Sequence, residues 1–106
     1  MKQFFQGTIV LAAACSAAGV AAASDPVAGR TLARDLCSGC HLVVEGQSGP
    51  VSDGVPAFRT LARDDTMTDK VLRGFIVDPH PQMPNVSLTT TEIDAIIAYI
   101  RSLGPL

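Results

Sequence analysis

The pentapeptide Cys37-Ser38-Gly39-Cys40-His41 constrains the fold of this chain more than any other feature of its sequence. Two thiols three positions apart can form thioether bonds to the two vinyl groups on one edge of a porphyrin, and the next imidazole then lies under the iron. C-x-x-C-H is accordingly the attachment sequence of a c-type haem. A zinc knuckle would need a second Cys or His pair, and a redox dithiol would need a βαβ setting. The sequence therefore predicts one covalently attached haem c, held by Cys37, Cys40 and His41.

Residues 1–23 have the composition of a secretory signal peptide. A positive charge precedes a hydrophobic, alanine-rich stretch, and an A-x-A cleavage site ends at Ala23. The apolar part is too short and too interrupted for a convincing membrane span, although an uncleaved anchor and lipidation of Cys15 are alternatives. Bacteria attach c-type haem outside the cytoplasm, which agrees with export. We therefore expect a periplasmic protein with a single mature domain, residues 24–106.

The mature domain is so small that a core made of protein alone would be marginal. It has three aromatic residues and no Trp, so that a buried porphyrin would supply the missing apolar mass. It carries seven basic and ten acidic residues, a net charge of −3, and a single Lys. Without a basic run, nucleic acid is not an expected partner. The sequence also lacks the Lys- and Arg-flanked apolar stripe of helices that bind membrane surfaces.

Two helices are predicted in the first part of the mature domain. The first begins with Asp25 as N-cap and Pro at its first position, and it runs into the haem motif. Its apolar stripe comprises Ala28, Leu32 and Leu36. The second begins near Thr68, with Met67 and Leu72 placed for a hydrophobic staple, and ends at Pro79. Its expected buried face comprises Val71, Leu72, Phe75 and Ile76.

A third helix has the clearest signals. Thr89 and Glu92 form a predicted capping box. Apolar residues then repeat with helical period, at Ile93, Ile96, Ile97, Ile100 and Leu103, before Gly104-Pro105 ends the helix. Because no run of alternating β-branched residues appears, the predicted fold class is all-α.

The second axial ligand of the iron is predicted from a loop with three prolines between residues 79 and 84. Proline fixes φ and removes an N–H donor, so this loop should be stiff and extended. Met83 lies in it with no helix stripe to join, and we expect its thioether to bind the iron opposite His41. Met67, at a helix boundary, is expected to fill the core. His80 is a competing ligand, but a loop histidine that faces solvent is the simpler interpretation.

These motifs resemble those of bacterial class I cytochromes c, the small single-haem periplasmic kind, over essentially all of residues 24–106. Residues 37–41 look like the haem-binding sequence of that family, and Met83-Pro84 looks like its axial-methionine loop. Residues 93–103 look like its C-terminal helix, in which an aromatic beside an aliphatic residue packs on the N-terminal helix. The resemblance implies three main helices with loops wrapped around one haem. It also implies that Gly29 lets the terminal helices cross closely.

The resemblance further implies a hydrogen bond that orients the histidine ligand. Gly49-Pro50 is similar to the Gly-Pro stretch whose proline carbonyl accepts from the second ring nitrogen of His41. Pro56 is an alternative acceptor, and Pro50 could instead only shape a turn. The single Lys70 differs from the lysine-rich ring of the larger, mitochondrial-like members, which gives no basis for carrying over their docking surface.

The sequence therefore predicts a periplasmic electron carrier and not an enzyme. His41 and Met83 would saturate the iron, so that single electrons pass without turnover of a substrate. The expected partners are a redox donor and acceptor that a monomer meets in transient complexes, with membranes reached only through respiratory-chain partners. Alternatives are a cytochrome subunit of a larger periplasmic oxidoreductase and a five-coordinate sensor or peroxidase-like protein. Haem burial is expected against Leu36, Phe58, Phe75 and Ile97.

Overall fold

A computed structural model describes residues 7–14, 24–48, 53–79 and 81–105 of the protein. Within these ranges the secondary structure comprises four helices, α1 (Pro26–Leu36), α2 (Phe58–Arg63), α3 (Asp69–Val77) and α4 (Thr90–Ser102). No strand occurs in these ranges, which confirms the all-α class. Of the predicted signal segment, residues 7–14 are described, and they are exposed without regular structure. Within the described ranges, no helix has both the length and the apolar character to span a membrane.

The short helix α2 was not predicted, and it adds to the three main helices that were. Its six residues cover less than two turns, which is too short for a helical period to show in the sequence. Its N-cap, Ala57, makes no side-chain capping bond. The backbone N–H of Phe58 instead donates to the carbonyl of Leu42, at 2.9 Å, so that α2 begins where the chain returns to the haem motif.

Side chains cap the other three helices as predicted. The carboxylate of Asp25 accepts from the N–H of Val27, at 2.9 Å, and the hydroxyl of Thr68 accepts from Val71, at 3.2 Å. The capping box of α4 is complete, since Thr89 Oγ1 accepts from the N–H of Glu92 and Glu92 Oε2 accepts from the N–H of Thr89. Each such cap satisfies backbone donors that would otherwise lack a partner.

The helices α1 and α4 cross at close range. A Cβ built on Gly29 would overlap the carbonyl group of Ala95 and lie 2.9 Å from Cβ of Tyr99, which confirms the predicted role of Gly29. Ala33, one turn later, is fully buried. The predicted stripe of α1 is wrong in part, because Ala28 is exposed. Where two helices cross closely, the residues in contact must be small. An apolar pattern does not count glycine as hydrophobic, so it did not identify the contacting face of α1.

The helix α4 supplies most of the core. Of its predicted apolar residues, four are buried and Leu103 is half-buried against them: Ile93, Ile96, Ile97 and Ile100. The helix α3 is different, because Leu72 is the one buried side chain of its predicted face. Ion pairs from Arg73 to Asp94 and from Arg101 to Asp69 connect α3 to α4.

Candidate cofactor site

A cavity of about 580 Å³ lies between the haem motif, α3 and the proline-rich loop. Its volume is within the range of small-molecule and cofactor sites. Both motif cysteines, His41 and Met83 line it. Four side chains that the sequence places up to 46 residues apart are thus brought to the wall of one cavity.

The motif cysteines lie in a turn that continues from the end of α1. The N–H of Cys37 donates to Ala33 of the helix, and the carbonyl of Cys37 accepts from the N–H groups of Cys40 and His41, at 3.2 and 2.9 Å. Both thiols are free and half-buried. Burial raises the pKa of the Cys37 thiol to about 11, so it is the neutral thiol at physiological pH.

The imidazole of His41 is held by a carbonyl behind it. Nδ1 lies 2.7 Å from the carbonyl oxygen of Pro56, so Nδ1 carries the proton and donates it. This tautomer leaves the lone pair of Nε2 available for a metal, which is the usual arrangement of metal-binding histidines. The ring of Phe58 packs against the imidazole with centroids 5.4 Å apart and fixes its tilt.

The hydrogen bond from His41 corrects the choice of proline. Pro50, the first candidate acceptor, lies outside the described residues, and the single proton of Nδ1 goes to Pro56, the alternative. The position of Pro56 explains this. It precedes α2 by two residues, and α2 is fixed to Leu42, the residue after His41, by the N–H of Phe58.

The cavity wall also contains the second candidate ligand. Met83 is half-buried and lines the cavity within a segment that has no helix, and its role as iron ligand stays a prediction. The competitor His80 lies outside the described residues. Met67 packs against the core, which confirms its predicted role, and it lines the cavity as well. The cavity therefore has two thioethers on its walls, and only Met83 comes from the proline-rich loop.

The remaining walls are largely apolar. Leu36, Phe58 and Phe75 line the cavity as predicted, whereas Ile97 does not. Ile97 is buried in the core, and its neighbours on α4 face the cavity instead, namely Ile96 and Ile100. Among the described lining residues, Asp53 is the one carboxylate. A large apolar ring with one imidazole and one thioether on its faces fits this set of side chains.

The hydroxyl of Tyr99 is a contact that the sequence did not indicate. It donates to the carbonyl of Val43, two residues after His41, while the ring of Tyr99 lies near that of Phe58. The aromatic position on α4 was identified for helix packing, and it does approach Gly29. The hydroxyl of Tyr99 has a separate effect, because it fixes the backbone at Val43, just after the haem motif. No spacing in the sequence relates residue 99 to residue 43.

Comparisons with known proteins agree with the geometry. Residues 26–104 match the family model described as Cytochrome c, a span that contains all four helices. A curated protein of Bradyrhizobium diazoefficiens named cytochrome c-552 is 38% identical over 105 residues, which cover 99% of this chain and 100% of that protein. No solved structure matches the chain.

Proposed function

The chain belongs to the cytochrome c family, whose members carry covalently attached haem c and transfer electrons, and we propose that it is a periplasmic carrier with His41 and Met83 as axial ligands. In this proposal Cys37 and Cys40 hold the porphyrin through thioether bonds. The observation that carries it is that both cysteines, the imidazole and the loop thioether line one cavity. Haem supplies reversible one-electron chemistry when bound.

The residues around the iron position set its preference for the reduced form. A thioether opposite an imidazole favours reduced iron more than two imidazoles do. The bond from Nδ1 to Pro56 holds the imidazole in one orientation and one tautomer. Apolar walls such as Phe58 and Leu72 exclude water, which disfavours the additional positive charge of the oxidised state. These groups together support a carrier with a comparatively high reduction potential.

The partners and the compartment follow from the same assignment. Residues 1–23 would be removed on export, leaving residues 24–106 as the carrier domain. Transient redox complexes need only small interfaces, which suits a monomer that exchanges between a donor and an acceptor. We expect the protein in the periplasmic fraction with Ser24 as its first residue, checked by mass spectrometry. Stable co-purification with a catalytic subunit would instead identify it as a subunit of a larger oxidoreductase.

The ligand assignment is tested by exchanging the two cavity methionines one at a time. Met83→Leu keeps the apolar volume and removes the proposed ligand, whereas Met67→Leu does the same to the thioether at the start of α3. We expect Met83→Leu to abolish the near-infrared sulfur-to-iron charge-transfer band of the oxidised protein and to open the reduced protein to CO. Met67→Leu should leave both properties unchanged.

Two outcomes would overturn the assignment. A band that survives Met83→Leu and disappears in Met67→Leu would transfer the ligand role to Met67. Wild-type protein that lacks the band and binds CO at once would be five-coordinate, and a sensor or peroxidase-like activity would then replace electron transfer. The covalent attachment is checked separately, since haem held by Cys37 and Cys40 must remain with the chain in acidified acetone.

A further inference from the structure

The side chain of Gln47 bridges three backbone groups beside the haem motif. Its amide nitrogen, Nε2, donates to the carbonyl of Ser38, at 3.1 Å, and to the carbonyl of His41, at 3.0 Å. Its amide oxygen, Oε1, accepts from the N–H of Val43, at 3.0 Å. A primary amide has two hydrogens to donate, and both are used here. The half-buried amide of Gln47 thus connects Ser38 within the motif, His41 at its end and Val43 two residues after it.

The turn that precedes Gln47 brings this amide back to the motif. Gly46 has a φ of +72°, in the left-handed region that favours glycine. The N–H of Gln47 donates to the carbonyl of Val44, at 3.4 Å, which closes the turn. The chain reverses within a few residues, so that a long and uncharged side chain at position 47 can reach residues 38–43.

Other groups complete the hydrogen bonding of the same segment. Val43 is 1% exposed, so bulk water does not reach it, and its carbonyl already accepts from Tyr99. Gln47 is therefore the partner on which the buried N–H of Val43 depends. Leaving a buried donor without a partner costs more than the hydrogen bond itself contributes. The carbonyl of Leu42 accepts from the N–H of Phe58, so every carbonyl from His41 to Val43 has a donor.

We propose that Gln47 is a positioning residue for the proximal ligand, because it fixes the main chain of His41 while Pro56 fixes the imidazole ring. The proposal deepens the proposed function, since it rests on His41 being an axial ligand. Gln47 binds the backbone carbonyl of His41, and Pro56 binds Nδ1 of its ring. These two hydrogen bonds together restrict rotation of the imidazole. Loss of the backbone attachment would loosen the imidazole and admit water to the proximal side, which stabilises the oxidised iron.

Two substitutions separate the donor and acceptor functions of the amide. Gln47→Leu removes all three hydrogen bonds at similar volume. Gln47→Glu keeps an oxygen for the N–H of Val43 but replaces both donors to the carbonyls of Ser38 and His41. Ser48→Glu is the matched control for charge, since it places a carboxylate at the adjacent, exposed position. Asp25→Ala is the control for stability, because it removes the N-cap of α1 without changing the haem motif.

The readouts are the reduction potential of the holoprotein and the exchange rate of the Val43 amide hydrogen. We expect both Gln47 variants to have a lower potential than wild type, with Gln47→Glu lower than Ser48→Glu. Asp25→Ala should leave the potential unchanged. Exchange at Val43 should accelerate at least about tenfold in Gln47→Leu, the loss expected for one buried hydrogen bond, and much less in Gln47→Glu.

The proposal fails if Gln47→Glu has the potential of Ser48→Glu and Gln47→Leu has that of wild type. Where Gln47→Leu yields no holoprotein, the comparison of Gln47→Glu with Ser48→Glu decides alone. This failure is distinguishable from failure of the proposed function. The charge-transfer band of the wild type and its loss in Met83→Leu report on the ligands whether or not Gln47 positions one of them.

Discussion

The crossing of α1 and α4 and the wall formed by α3 are stabilised in different ways. At the crossing, Gly29 and Ala33 bring two backbones into contact, and α4 buries its apolar side chains against protein. On the other side, Leu72 is buried, but Phe75 is 42% exposed and faces the cavity. Half-exposed ion pairs make the polar connections from α3 to α4. The crossing of α1 and α4 packs protein against protein, whereas α3 presents apolar side chains to the cofactor cavity.

This difference shows how a short chain can build a stable domain. A protein of this size buries too little of its own surface for a large core. The terminal helices use the small residues at their crossing to pack closely, while α3 and the Met83 loop contribute surface that is completed by haem. Stability at the crossing should therefore depend on steric fit, and stability at α3 should depend on contact with the porphyrin. Three sets of substitutions test this contrast, and a fourth tests a hydrogen-bonded carboxylate at the end of α2.

The largest effect is expected from adding one methyl group at the crossing. Alanine is favoured over glycine in a helix by about 1 kcal/mol, so propensity alone predicts that Gly29→Ala stabilises α1. The overlap with Ala95 predicts the opposite, with a net loss of about 2 kcal/mol or more. Gly74→Ala in α3 is the matched control, because a Cβ there meets no atom within 4 Å. Urea unfolding should show opposite signs, and stabilisation by both substitutions would contradict the close crossing.

A smaller effect is expected at the cavity wall. Phe75→Ala removes a ring that lines the cavity and should destabilise the holoprotein by about 2 kcal/mol, less than full burial of Phe would imply. It should also lower the reduction potential, since water would replace the ring beside the haem. Val77→Ala, at an exposed residue of the same helix that does not line the cavity, should change neither quantity. Equal potentials for both variants would mean that Phe75 does not shield the haem.

A still smaller effect is expected from the ion pair between Arg73 and Asp94. A double-mutant cycle with Arg73→Gln and Asp94→Asn should give a coupling below about 1 kcal/mol, because both side chains are more than a third exposed. The coupling should decrease as salt is added. The pair of Arg59 with Glu45 is more exposed and should couple less. A salt-independent coupling would show that α3 is fixed by more than surface electrostatics.

The smallest effect is a pH dependence at the end of α2. Thr66 donates to the carboxylate of Asp64 through its hydroxyl, at 2.6 Å, and its N–H, at 2.9 Å, and these bonds lower the pKa of Asp64. A carboxyl with a lowered pKa in the folded state contributes stability at neutral pH that is lost as pH falls through its folded pKa. Asp64→Asn should therefore weaken the protein slightly at pH 7, and the difference should shrink towards pH 3. A difference that is constant over this range would exclude the carboxylate as its source.

The sequence allowed the parts of the fold with local signals to be predicted. Capping residues such as Thr68 and Thr89 act within four residues, and they predicted where α3 and α4 begin. The cofactor was predicted because the two cysteines and His41 must lie at fixed spacing. The Met83 loop was identified because its prolines exclude a helix. In each case the physical constraint acts between residues that are near in the chain.

Contacts between distant backbone and side-chain groups could not be predicted in this way. The acceptor for His41 is Pro56 because α2 is fixed to Leu42, and the short helix α2 has no pattern of its own. Nothing in the residues around Gln47 indicates that two carbonyls and an N–H converge on its side chain. Such partners are set by the path of the chain in three dimensions.

Tyr99 has a consequence for the order of events during biogenesis. Its Cβ lies against the crossing of the terminal helices, and its hydroxyl reaches Val43, so docking of α4 also fixes the turn that carries both thiols. In the folded protein both thiols are half-buried, so they are less accessible to attachment chemistry than in the unfolded chain. We therefore expect the contact of Tyr99 with Val43 to form after the haem has been attached to both thiols.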